Sequence, residues 1–324
     1  MDLINKNDVK TIGSIGAGPI GAGWVAYFLS QGLSVKAYLH NESEENNFYS
    51  MLRTAWVSLK KLYNVKELEE TNLEIFFYLS ECIKKVDFIQ ESAPEILSLK
   101  QNLYKELGEI VPKNVIICSS TSGMKMTDIQ TLCKTPERTV VAHPFNPPYL
   151  LPLVEIVGGK KTKDEAVNWV HDFFIKIGKS PLVLKKEIPG FVATRLQEAL
   201  WREALHMVNN DEATPEQIDI ALINGPAPRM AIQGQCLAFH VACGEGGMAT
   251  NLDQFGPALE LPWTRLKAPE LTKKLRNKMV DGCEKIVKHQ KFQDLASERD
   301  KKIVEIIKIQ RNKYKTDFKS EGKK

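Results

Sequence analysis

The sequence contains no CxxC pair, no internal repeat and no low-complexity segment. None of its six cysteines (Cys82, Cys118, Cys133, Cys236, Cys243 and Cys283) belongs to such a pair, which excludes a thioredoxin-type motif, and no metal is expected. Several stand in apolar stretches such as "VIICSS", where a free thiol behaves as a small hydrophobe; the reading is reduced thiols in a cytoplasmic protein. Excess basic charge is confined to one end. The last fourteen residues hold six Lys/Arg and two Asp/Glu, a surplus of four that equals the whole formal net charge of +4. A nucleic-acid binder concentrates basic residues on its folded body, so that partner class is excluded. From Thr11 to Val35 there is no charged residue, long enough on length alone to cross a bilayer. That stretch nevertheless holds six glycines and Pro19, and has neither a basic n-region nor a small-residue cleavage site. No membrane partner is expected.

What is present is ordinary in bulk. The 324 residues are 43% hydrophobic and 26% charged, a soluble globular composition long enough for two domains. "TIGSIGAGPIGAGWVAYFLSQG" reads as a short strand, then Gly16-x-Gly18-x-x-Gly21, then a helix with apolar Val25, Phe28 and Leu29. In that context the glycines make a tight turn, admit a pyrophosphate close to the backbone and pack helix on strand; the helix amino terminus offers free N–H groups to phosphate. Gly16, Gly18 and Gly21, with Pro19 and Ile20 between them, are therefore the candidate cofactor loop. The fingerprint also asks for an acidic residue about twenty positions on, at the end of the second strand. "AYLHNESEE" has Leu39 there, with Glu42 three residues later, and no arginine nearby to meet a 2′-phosphate. NAD is favoured over NADP.

Apolar runs then recur between amphipathic ones. "VDFIQESAPE", "NVIICSSTSG", "TVVAHPFNPP" and "PLVEIVGG" read as strands, and "SLKQNLYKELGEI" has helical spacing. Alternating strand and helix implies a doubly wound, mostly parallel Rossmann-type sheet whose ligands bind at the strands' carboxyl ends. Those ends are Glu91–Glu95, Ser119–Ser122 and His143–Asn146, three polar clusters meeting at one crevice. From about Pro189 the pattern turns helical: "FVATRLQEALWREALHMVNN" is amphipathic with apolar Phe191, Leu196, Leu200, Ala204 and Met207–Val208, and Thr214-Pro215-Glu216 signals a helix start. The expected layout is an NAD-binding domain over 1–187, an all-α domain over 188–310, and a frayed basic tail over 311–324.

"GAGPIGAGW", "FIQESAPE", "SSTSG", "HPFNPPYLLPLVEIVGG" and "EIPGFVATRLQEALWREALHMVN", in this order, resemble the 3-hydroxyacyl-CoA dehydrogenase family over nearly the whole chain. Within it, "FGPALELPWTRLKAPELT" leans toward the carnitine-oxidising branch. The resemblance implies NAD-dependent oxidation of a 3-hydroxyl, with a His–Glu catalytic pair falling on His143 and Glu155. It also implies substrate-oxygen contacts from Ser122 and Asn146, cofactor contacts from Glu95 and Lys100, and a homodimer formed through the helical domain. The chemistry agrees: a histidine is the natural base near neutrality, and a carboxylate on its other ring nitrogen fixes the tautomer.

Carnitine carries a trimethylammonium group and a carboxylate, so its site calls for aromatic faces and one cation. Candidate substrate residues are Phe145, Tyr149, Thr194, Arg195 and Trp201, with Phe239 and Trp263 as further aromatics and Arg202 and Arg229 as further cations. Thr194 departs from the family, which carries Asn or Asp there. The alternatives are an L-gulonate or 3-hydroxyacyl-CoA dehydrogenase, and a cofactor-binding protein that has lost turnover.

Overall fold

A computed structural model of the chain describes residues 1–63, 72–243, 247–257 and 300–309, with isolated positions between 65 and 68, at 245, and between 264 and 297. Trp263, Cys283 and the tail 311–324 lie outside the described residues. The chain forms two compact units, residues 1–194 and 195–324.

The first unit is one eight-stranded sheet: β1 (Thr11–Ile15), β2 (Ser34–Tyr38), β3 (Leu73–Phe76), β4 (Phe88–Glu91), β5 (Ile116–Ser119), β6 (Thr139–Pro144), β7 (Leu153–Gly158) and β8 (Ser180–Val183). Their order is β3-β2-β1-β4-β5-β6-β7-β8, and only β6–β7 is antiparallel. The helices are α1 (Pro19–Ser30), α2 (Glu45–Tyr63), the single turn α3 (Leu79–Cys82), α4 (Leu97–Ile110), the short α5 (Met126–Ile129) and α6 (Asp164–Lys176). This is a Rossmann-type doubly wound fold.

Central strands read as unbroken apolar runs because both faces are covered: every residue of β4, β5 and β6 is buried. Their side chains Ile89, Ile117 and Val141 pack with Tyr104 and Leu107 of α4 and Met126 and Ile129 of α5. Each large apolar side chain so removed from water contributes roughly 1.5–3 kcal/mol. The two strands that periodicity does not reveal, β3 and β8, lie at the sheet edges. They are four residues long, β3 mostly half-buried and β8 mostly exposed, and carry Glu74 and Pro181, residues that suit an edge and blur a strand pattern.

The start of β6 is tied down by Arg138, which is fully buried yet satisfied. Its guanidinium donates to the carbonyls of Val111, Pro112 and Val115 and to Thr135 Oγ1 at 2.6–3.0 Å. It clamps the connection after α4 to the strand that carries His143.

The described elements of the second unit are helical: α7 (Ala193–Asn209, which begins at the end of the first unit), α8 (Pro215–Asn224), α9 (Ala227–Ala242) and α10 (Gly247–Phe255). Thr214 caps α8 in a reciprocal capping box with Gln217. Gly234, at φ +71°, interrupts α9. Ala204 and Val208 of α7 are buried with Ile218 and Leu275, whereas Leu196 and Leu200 are exposed. Phe191 is not on this helix at all: it precedes α7 in a turn and is fully buried. Among the described residues no helix is long and apolar enough to cross a membrane.

Candidate active site

The glycine loop joins β1 to α1, and two of its glycines are required by what surrounds them. Gly16 sits at φ +113°, and a Cβ there would lie 2.5 Å from the Ser92 carbonyl oxygen; at Gly21 it would lie 2.0 Å from that of Gly16. Gly18, the residue before Pro19, faces open space. The result is a bare backbone cradle at the amino end of a twelve-residue helix with Pro19 at its first turn, shaped and polarised for a pyrophosphate. The residues present fit a dinucleotide. Leu39, by contrast, is fully buried and its amide continues the ladder to Phe76, so it offers nothing to a ribose.

The loops after β4 and β5 are knitted by a buried charge cluster. Lys100 of α4 is almost fully buried, its ammonium 2.6 Å from Glu91 Oε1, 3.1 Å from the Ala93 carbonyl and 3.5 Å from Glu95 Oε2. Glu91 ends β4 and also accepts from Ser119 Oγ at 2.6 Å and from the Ala93 amide at 2.6 Å. Glu95 Oε1 in turn accepts from the Ser122 amide at 3.0 Å and from Thr121 Oγ1. Lys100 therefore acts on the crevice through Glu95, and Glu95 holds the backbone of Ser122, whose side chain is exposed. The sequence names Glu91 as the first residue of a strand-end cluster but gives it no role of its own. The only signal is an acid at a strand end nine residues before a lysine, which is too common to be read alone.

Asn146 is exposed where β6 ends, and the loop it opens is held from two sides. Pro148 packs so closely on α1 that a Cβ at Gly23 would come 2.9 Å from its Cδ. Lys179, also buried, donates to the carbonyls of Pro148 and Leu151 while its ammonium lies 3.7 Å from the ring centre of Tyr27. Across the crevice Trp24 Nε1 and Gln90 Nε2 both donate to Ser120 Oγ, at 3.2 and 2.7 Å.

His143 and Glu155 face each other as register partners on β6 and β7. Nδ1 of His143 lies 2.9 Å from Glu155 Oε2. Glu155 is fully buried, and its other oxygen accepts from the amides of Val192 and Ala193 at 2.9 and 3.0 Å. Burial pushes its carboxyl pKa up, but the bonds from His143, Ala193 and Val192 outweigh that and hold it below its ordinary range. Those amides are aimed by a turn in which Gly190 stands at φ +73° and Phe191 at φ +45°. A non-glycine residue in that region costs roughly 1–3 kcal/mol, and here it orients two donors onto a buried charge. The sequence pattern places Phe191 on the following amphipathic helix and gives it no part in the site. An ionised Glu155 fixes the proton on Nδ1, leaving Nε2 as an acceptor. The ring is confined between Phe145 and Phe191, centroids 5.4 and 5.5 Å away.

Phe145 is half-buried and Tyr149 buried in the first unit, which ends at Thr194. Arg195 and Trp201 belong to the second unit, where Trp201 is exposed and lines a cavity with Leu200 and Ile218. Arg202 lines another with Leu196 and Met230, and Arg229 stacks on Phe239. Cys82, Cys118 and Cys133 are buried free thiols; burial pushes Cys82 up to about 12, which makes it unreactive.

Two family descriptions match the chain: "3-hydroxyacyl-CoA dehydrogenase, NAD binding domain" over residues 11–188 and "3-hydroxyacyl-CoA dehydrogenase, C-terminal domain" over residues 190–304. The chain is 47% identical over 300 residues to the L-carnitine dehydrogenase of Nocardiopsis dassonvillei, covering 93% of this chain and 91% of the other. It is 45% identical over 306 residues to that of Streptomyces coelicolor, covering 94% and 96%. Among solved structures it resembles an NAD⁺-dependent 5-formyl-3-hydroxy-2-methylpyridine 4-carboxylic acid 5-dehydrogenase, at TM-score 0.78 and 25% identity over 94% of this chain and 99% of that one.

Replacing Lys100 with Met leaves the Glu91 charge buried without its cation, and the expected loss is about 3–5 kcal/mol in urea unfolding; a loss under about 1 kcal/mol would mean Glu91 recruits another donor. A carboxyl with a lowered native pKa adds stability above its unfolded value and gives it up as pH falls through the native one. The Glu155 contribution is therefore complete above about pH 4.5 and disappears below it. Urea midpoints of the parent and Glu155→Gln should differ above pH 5 and converge as pH drops from there; a gap independent of pH would rule out the ionised carboxylate.

Proposed function

The chain belongs to the 3-hydroxyacyl-CoA dehydrogenase family and is an NAD-dependent oxidoreductase acting on CH–OH, and from that premise we propose that it oxidises the 3-hydroxyl of L-carnitine to 3-dehydrocarnitine. The observation that supports the chemistry is the buried His143–Glu155 pair. The likeness to L-carnitine dehydrogenases along nearly the whole chain supports the substrate.

In this reading His143 is the general base. Its Nε2 takes the hydroxyl proton, and Glu155 stabilises the imidazolium that forms, since a buried carboxylate 2.9 Å from Nδ1 favours the charged ring. Bound NAD supplies the oxidant for the carbinol carbon. Ser122 and Asn146, both exposed at strand ends, orient and polarise the carbinol oxygen. Gly16, Gly18, Pro19, Ile20 and Gly21 hold the pyrophosphate, and Glu95, backed by Lys100, keeps the Ser122 loop in place for the cofactor. Phe145, Tyr149 and Thr194 are substrate candidates on the first unit, Arg195 and Trp201 on the second. A homodimer in the cytoplasm completes the proposal. Exposed Leu196, Leu200 and Trp201 on α7 support the dimer, and the free buried thiols suit a reducing compartment.

A 3-hydroxyacyl-CoA substrate is the second reading, favoured by the two matching family domains. The deciding assay is reduced-nicotinamide formation by the purified protein with L-carnitine, NAD⁺ and NADP⁺ being supplied separately. Turnover with NAD⁺ is expected; its absence, with turnover of 3-hydroxyacyl-CoA or L-gulonate instead, would replace the substrate. In the His143→Ala variant turnover should fall by about 10²–10⁴-fold while NADH binding, followed by fluorescence, is kept. Unaltered turnover would remove His143 from the mechanism.

A further inference from the structure

We propose that Glu44 supplies the carboxylate that selects NAD over NADP, reaching back from the turn after β2 to do the work that buried Leu39 cannot. The inference rests on the NAD cofactor and is independent of the carnitine reading.

The end of β2 is the edge of the dinucleotide cradle, because the amide of Gly16 donates to the carbonyl of Tyr38 at 3.1 Å. A ribose following a pyrophosphate held at Gly16–Gly18 comes next to that strand end, where an acceptor for its hydroxyls is needed. Leu39 is fully buried, so the first residue past the strand provides none. The next backbone donor is the amide of His40, and it is taken: it donates to Glu44 Oε2 at 2.9 Å. Glu44 is half-buried in the short helical turn Glu42–Glu44, and its Oε1 has no hydrogen-bond partner among the described residues. One oxygen thus fastens the carboxylate to the strand end and the other is left for a ligand hydroxyl.

The same contact works against NADP. A free strand-end amide is a natural contact for a 2′-phosphate, and here a fixed negative charge stands on it. Between Gly16 and Leu52 there is no arginine. The one lysine, Lys36, donates to the Lys84 carbonyl at 3.0 Å and lies over the Phe76 ring. Among the other acceptors in the turn, Asn41 Oδ1 is engaged by the Ser43 amide at 3.1 Å, and Glu42 is exposed, its side chain making no hydrogen bond to the strand end among the described residues.

The test is fluorescence titration of the full-length protein with NADH and with NADPH, without substrate, for the parent and for Glu44→Gln, Glu44→Lys and Glu42→Gln. Glu44→Gln should weaken NADH binding about tenfold, the loss of a hydrogen bond to a charged acceptor, and strengthen NADPH binding. Glu44→Lys should bind NADPH more tightly than NADH, and Glu42→Gln should follow the parent. NADH binding unchanged in Glu44→Gln, or a loss that follows Glu42 instead, would overturn the proposal. So would a parent protein that binds both cofactors equally, a result that needs no variant to fold. A parent that prefers NADH yet does not turn over carnitine would discard the substrate and leave Glu44 standing.

Discussion

Glu155 carries a charge inside a sheet, with no exposed surface of its own, and much of the first unit is arranged to satisfy it. An ion transferred from water to such a place loses several kcal/mol of hydration. Three hydrogen bonds, from one imidazole and two backbone amides, offset that loss, each bond to a charged group being worth about 1.5–3 kcal/mol. The lowered carboxyl pKa says which side wins. Those three donors depend on the reversal of direction between β6 and β7, with β8 following β7, which sets Glu155 across from His143 in register. They also depend on a turn with two consecutive residues at positive φ. The backbone strain at Phe191 is the local cost of aiming two amides at one oxygen.

The same logic separates the groups that face the crevice from the groups that support them. Ser122 and Asn146 are exposed at strand ends, whereas Glu91, Lys100 and Lys179 are buried beneath the loops those residues stand on. A lysine in a dry interior must be met by acceptors in several directions. Lys100 meets a carboxylate and a carbonyl, and Lys179 meets two carbonyls and an aromatic face. Such a cation defines the path of the loops around it, because any other path would leave it unsatisfied. Loops that carry exposed polar side chains are thereby tied to the buried cations beneath them.

Cofactor recognition is split in a similar way between backbone and side chain. The pyrophosphate end is a matter of missing side chains, since Cβ atoms at Gly16 and Gly21 would collide with main-chain oxygens. The ribose end, in our proposal, depends on one carboxylate that approaches from four residues past the strand-end amide it caps. A position-by-position reading expects that carboxylate at Leu39, and the fold offers an acid of the same charge from Glu44.

By itself the sequence determined the features that are local in the chain. Continuous apolar runs demand strands buried on both faces, glycine spacing after the first of them demands a phosphate loop, and alternation of strand and helix demands a parallel doubly wound sheet. The same chain order brings His143, Ser122 and Asn146 to one edge, because parallel strands put all their following loops at the same end. What only the tertiary structure decided is everything that depends on distance across the chain. The edge strands β3 and β8 exist because a neighbour is there to pair with, each being only four residues long and interrupted by Glu74 or Pro181. Glu91 matters because Lys100 folds back over it, Phe191 because its turn points amides at Glu155, and Glu44 because the strand-end amide is free to receive it. A residue type and a spacing specify what a side chain can do; a buried charge or a closed hydrogen bond specifies which of many equal candidates does it, and that is settled only when remote segments come into contact.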